Sequence, residues 1–136
     1  MISVELARRL RDGGLVWDPA AGDRFVVSDR DMDDEVFTLS DMTVELHNVP
    51  NGQVIGFNGT VEWALDSVEL QNSLWLPSEA QLRERLGGTF RRLERDGERW
   101  RVVLEVSGGS VIAVHADAAE AYGRALLHLV TGEPTE

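Results

Sequence analysis

Apolar residues recur along this chain with two different periods, and the changes of period divide it into elements. Near the N-terminus, Leu6 and Leu10 stand four apart behind a capping Ser3, with Gly13-Gly14 as the stop. That spacing predicts a short amphipathic helix. Strands are predicted at Arg24–Val27, Val36–Leu39, Thr43–His47 and Gln53–Phe57, the last two joined as a hairpin through Pro50-Asn51-Gly52. Asn58-Gly59 ends the fourth strand, and Thr60 caps a predicted short helix through Asp66. Leu74-Trp75-Leu76 is an apolar triplet closed by Pro77.

The last third is the clearest. Ser78 with Gln81 three residues later is a capping-box pattern, opening a predicted helix that runs to Leu86 and stops at Gly87-Gly88. Strands at Thr89–Arg95 and Arg99–Ser107 are joined at Asp96-Gly97, and a third covers Ser110–His115. In the second of these, Trp100, Val102, Leu104 and Val106 alternate with Arg101, Val103 and Glu105, the signature of a half-buried strand. Asp117 and Glu120 repeat the capping-box spacing and open a helix to about Val130, with Ala118, Ala121, Tyr122, Ala125, Leu126 and Leu129 on one side.

No strand–helix–strand alternation is visible, so the predicted class is α+β: antiparallel sheets with helices at the N-terminus, in the middle and at the C-terminus. One domain over residues 1–131 with a flexible tail at 132–136 is expected for a chain of this length. Residues 78–131 follow the α-β-β-β-α order of double-stranded-RNA-binding domains. Charge argues against that role, because Arg124 is the only arginine of the final helix and phosphate contacts need a basic cluster.

Charge changes the picture further. The formal net charge is −11, with thirteen acids against five arginines in residues 1–68 and eleven against eight in residues 69–136. Such a surface repels nucleic acid and anionic membranes at long range. No apolar stretch is long enough to span a bilayer, and the absence of cysteine fits a reducing compartment, so a soluble, cytoplasmic protein is expected. All thirteen basic residues are arginine, a composition typical of GC-rich genomes that leaves no lysine for Schiff-base or P-loop chemistry.

Five of the seven residues from Asp29 to Glu35 are acidic. Asp29, Asp31 and Asp33 have the alternate spacing with which an EF-hand loop begins. The sixth position is Asp34 where the turn requires glycine, and the twelfth is Ser40 where a bidentate glutamate belongs. Asp29, Asp31, Asp33, Asp34 and Glu35 therefore stand as a candidate divalent-cation cluster, against the plainer reading of a solvated connector. His47, His115 and His128 lack ligand spacing and read as structural. No nucleophile elbow, Walker loop or dinucleotide fingerprint is present, and no cofactor is expected. Trp17 and Trp75 flank proline-containing loops; core is the first reading for both, and partly exposed anchors of an interaction patch the second. Arg91, Arg92, Arg95, Arg99 and Arg101 form the one basic concentration. They pair across strands with Glu94, Glu98 and Glu105, or meet the acidic N-terminal half of another copy.

Gly22-Asp-Arg-Phe25, Asp31–Met42, the run Val54–Val68 and Leu74-Trp-Leu-Pro77 together resemble a family of small uncharacterised proteins of high-GC Gram-positive bacteria. The resemblance extends over nearly the whole chain. Some members are labelled pilus assembly proteins of the CpaE type, which implies a MinD-like ATPase. The P-loop and lysine of such an ATPase are not in this sequence, and the resemblance brings no catalytic residues with it. The expected function is therefore that of a non-catalytic, acidic interaction or adaptor domain, working through a protein partner or self-association. The alternatives are a divalent-cation-binding protein or metal-assisted enzyme centred on Asp29–Glu35, and an immunity- or antitoxin-like binder of a basic partner.

Overall fold

The structure is a computed structural model, which describes residues 1–27, 35–39, 44–49, 52–57, 67–69 and 73–135. It is α+β, with three three-stranded antiparallel sheets and helices at the N-terminus, in the middle and at the C-terminal end. The helix expected over Thr60–Asp66 and the turn residues Pro50, Asn51, Asn58 and Gly59 lie outside the described residues. Two compact units make up the chain: Met1–Val16 with Pro77–Glu136, and Trp17–Leu76.

In the second of these units, β1 (Arg24–Val27) lies between β2 (Phe37–Thr38) and β6 (Ser73–Leu76), antiparallel to both. Every residue of β6 is buried, and so are Phe25, Val26 and Val27 of β1. A bare apolar run such as Leu74-Trp75-Leu76 is what a strand covered on both faces requires. A second sheet has β4 (Gly52–Phe57) between β3 (Val44–Val49) and β5 (Ser67–Glu69). The β3–β4 register runs from Val44↔Phe57 to Val49↔Gly52, the hairpin anticipated from the turn residues. Neither β5 nor β6 was legible as a strand, since three or four residues are too few to establish a period.

The other unit is built on its last helix. α1 (Val4–Asp12) buries Leu6, Ala7 and Leu10; α2 (Glu79–Leu86) buries Leu82 and Leu86; both pack on α3 (Ala118–Thr131). A Cβ on Gly123 of α3 would stand 2.6 Å from Leu6 Cδ2, so the missing side chain is what lets α1 approach this closely. β7 (Phe90–Asp96), β8 (Arg99–Val106) and β9 (Gly109–His115) form an antiparallel sheet in that order, with α3 against β8 and β9. Gly97 takes a positive φ of 63° in the β7–β8 turn, a conformation that costs other residues strain. Val102, Leu104 and Ala113 face inward and are fully buried. The predicted alternation holds there, except that Val103 on the opposite face is also buried, at 5% exposure. Its cross-strand neighbours are Arg92 and Ile112, whose aliphatic carbons suit contact with its methyls.

Beyond α3, residues assigned above to a flexible tail make specific bonds. Arg9 pairs with Glu133 at 2.7 Å, the Glu133 carbonyl lies 2.7 Å from His128 Nδ1, and Thr135 Oγ1 donates to the Ile112 carbonyl at 2.9 Å. Among the described residues no helix is long and apolar enough to cross a membrane.

Candidate functional site

Asp29, Asp31, Asp33 and Asp34 of the acidic run lie outside the described residues; Glu35 is exposed just before β2. Among the described residues no group of three or more His, Asp or Glu side chains is arranged to hold a metal ion. Trp75 is a core residue of β6, only 8% exposed, which denies it the accessible face that an interaction anchor needs. Trp17 is half-buried against Phe25, with ring centroids 5.5 Å apart, and its Nε1 donates to Asp23 Oδ2 at 2.9 Å. Asp23 also accepts from the Ala20 amide at 3.0 Å, so this buried carboxylate fastens the Trp17–Asp23 loop onto the strands.

The basic concentration is mostly consumed by pairing. Arg92 reaches Glu94 at 3.0 Å; Glu94 reaches Arg101 at 3.1 Å; Arg101 reaches Asp96 at 2.9 Å. Arg91 pairs with Glu105 at 3.2 Å, while Arg95 lies over the Trp100 ring at 4.6 Å from its centroid. Glu94 and Arg101, like Arg95 and Trp100, are direct cross-strand neighbours in the register of β7 on β8, while Arg92 and Glu94 stand two apart on one face of β7. Hydrogen bonds from Arg92 and then Arg101 hold the Glu94 carboxyl below its ordinary value of 4.5, and the bond to Glu94 raises Arg101 in turn.

A carboxylate depressed in the folded state stabilises the fold above its unfolded pKa, and that contribution is lost as pH falls through the lower, folded value. Glu94→Gln is accordingly expected to flatten the acid limb of stability. Urea unfolding of both proteins from about pH 6 to about pH 3 reads this directly. Parallel curves for the two would remove Glu94 from the acid response.

Not every arginine is paired with a carboxylate; Arg8, Arg83 and Arg95 have no ion pair among the described residues, and two others share one place. Arg99, at the start of β8, and Arg124, half-buried on α3, have no ion pair among the described residues. Both line a cleft of about 350 Å³ together with Ile112, Val114, His115, Ala116 and Thr135. Among the described residues no carboxylate lines it. His115 Nδ1 accepts the Asp117 amide at 2.9 Å, which leaves Nε2 to carry the ring proton.

The cleft lies beside the outer edge of the sheet. A two-residue turn closes on Val106↔Gly109, and the pairs Leu104↔Val111, Val102↔Ala113 and Trp100↔His115 follow in step. Antiparallel alternation then turns the N–H and C=O groups of Ser110, Ile112 and Val114 away from β8. The bond from Thr135 Oγ1 to the Ile112 carbonyl agrees with that orientation. Arg99 was visible in the sequence as one of five clustered arginines and Arg124 as a lone helix cation, but no local signal joined them. No protein-family model, curated protein or solved structure matches this chain.

Proposed function

We propose that this is a non-catalytic interaction domain that takes up an extended segment of a partner protein along β9. What carries the reading is the contrast between the two edges of one sheet. β7 presents Arg91, Arg92, Glu94, Arg95 and Asp96 and an irregular register between Phe90 and Arg92. Charges and bulges of this kind are how sheets prevent edge-to-edge pairing. β9, Gly-Ser-Val-Ile-Ala-Val-His over seven residues, has neither a carboxylate nor a guanidinium, and Ile112 is 47% exposed. An edge engaged among the described residues only by Thr135, beside a guarded one, suits strand addition, in which main-chain bonds give affinity and flanking pockets give selectivity. A second copy is the less suitable occupant, because each brings a formal charge of −11.

The test uses a capped seven-residue peptide alternating Gln and Thr, titrated into the whole protein and followed by amide shifts and hydrogen exchange. Saturable shifts confined to β9, with slowed exchange at Ser110, Ile112 and Val114, are expected. Ile112→Pro removes an outward N–H while sparing the ladder to β8, and should abolish them. Thr135→Val releases the Ile112 carbonyl and should tighten binding about fivefold, the worth of one hydrogen bond of about 1 kcal/mol. Absence of saturable shifts in the parent protein, or concentration-dependent dimers broken by Ile112→Pro, would overturn the reading.

A further inference from the structure

We infer that the segment taken up along β9 is acidic, with a carboxylate seated between Arg99 and Arg124; the inference rests on the reading of β9 as a docking edge. Three observations converge on one place in the C-terminal unit. The cleft is lined by two guanidiniums, and neither has an ion pair among the described residues. Among the described residues, its other lining residues bring no negative side chain to offset them. The same cleft includes Ile112 and Val114, whose backbone groups face the open edge, so a strand laid on β9 passes directly over it.

The contrast is with the sheet's paired arginines. Arg91, Arg92 and Arg101 each reach a carboxylate within 3.2 Å, in a protein with almost twice as many acids as bases. Arg99 and Arg124 are within ion-pair distance of no described carboxylate, although Arg124 also lines a smaller cleft with Glu5 and Glu120, and a guanidinium so placed is available to an acid from elsewhere. Guanidinium recognises carboxylate through paired, charge-assisted hydrogen bonds, and Arg124 is half-buried, where screening by solvent is weaker. His115, with its proton on Nε2, adds a third donor to the lining. The volume, about 350 Å³, admits a side chain and is at the lower end of the range for ligand clefts.

The overall charge of −11 opposes an acidic ligand at a distance and the local pair of arginines favours it at contact. At physiological ionic strength the screening length is about 8 Å, so the contact term prevails once the segment is seated. Selectivity should therefore persist at physiological salt, while the association rate stays low.

The decisive comparison is between two capped seven-residue peptides in about 0.15 M salt. One alternates Glu and Thr, the other Gln and Thr. Both are titrated into the full chain and into Arg99→Gln, Arg124→Gln and the double variant. The Glu peptide is expected to bind about tenfold more tightly than the Gln peptide, the scale of one good charge-assisted pair. Each single variant should reduce that ratio, and the double variant should bring it to one. Both arginines are at the surface or half-buried, and unchanged dispersion of the β7 and β8 amides verifies the fold. Equal affinity for the two peptides in the parent protein, or a ratio that survives the double variant, overturns the acidic preference and leaves the edge reading intact. Binding of neither peptide overturns both. Preferential binding of a Lys–Thr peptide also overturns the acidic preference.

Discussion

Truncating Tyr122 to alanine is expected to destabilise the C-terminal unit by about 4 kcal/mol, the usual loss for a large aromatic in a core. Tyr122 is 1% exposed, and its ring packs on Phe90 with centroids 5.7 Å apart at 43°. The guanidinium of Arg83 lies 5.9 Å from the ring centroid, with Nη1 3.5 Å from the hydroxyl. One side chain thus joins α2, α3 and the first strand of the sheet. Tyr122→Phe keeps the ring and gives up only that long hydrogen bond, so it should cost less than about 1 kcal/mol. Urea unfolding followed by circular dichroism separates the two outcomes. A loss below about 1 kcal/mol for the alanine variant would mean that the site collapses without a cavity.

The second large effect is expected at Glu120. Its carboxylate is 8% exposed and accepts two bonds from one residue, the Ser3 amide at 2.9 Å and Ser3 Oγ at 3.1 Å. Ser3 Oγ in turn accepts the Leu6 amide at 3.1 Å, capping α1. Hydrogen bonds to an ionised group contribute about 1.5–3 kcal/mol each, and Glu120→Ala leaves the Ser3 donors without their acceptor. A loss of about 3 kcal/mol is expected. Glu120→Gln should fall between, because an amide offers one acceptor and turns its other end, a donor, toward a donor. Ser3→Ala should cost about 1 kcal/mol as a lost cap. In a double-mutant cycle of Ser3→Ala with Glu120→Ala the losses should combine to less than their sum, since both variants remove one interaction. Additive losses would show that Glu120 acts through the Ser3 amide, which the alanine variant keeps, or another contact, and not through Ser3 Oγ.

Glu120 also marks where local reasoning stops. Ser78 and Gln81 form the reciprocal capping box that their spacing predicts, with bonds of 2.9 and 3.2 Å. Asp117 and Glu120 have the same spacing but form neither bond of a box: Asp117 caps the helix by accepting the Ala119 amide, not that of Glu120, and its own amide is donated to His115 Nδ1. Glu120 is thereby released to bind Ser3, 117 residues away. A residue that the sequence casts as a local cap is a tertiary clasp. The same division governs the candidate site. The uncharged run of β9 and the charged run of β7 can be read from the chain, whereas their standing at opposite edges of one sheet cannot.

By itself the sequence determined what is settled within a few residues: the caps at Ser3, Ser78 and Asp117, the turn at Asp96-Gly97, the strands β7, β8 and β9, and the α+β class. These depend on backbone groups seeking the nearest partner and on side-chain periods of two or about 3.6. Tertiary structure decided that Leu74-Trp75-Leu76 is a strand buried against β1, that Glu120 clasps Ser3, and that Arg99 and Arg124 share a cleft while their neighbours are neutralised. Those outcomes turn on which distant surfaces are excluded from water together, a competition among whole elements that no short stretch of chain encodes.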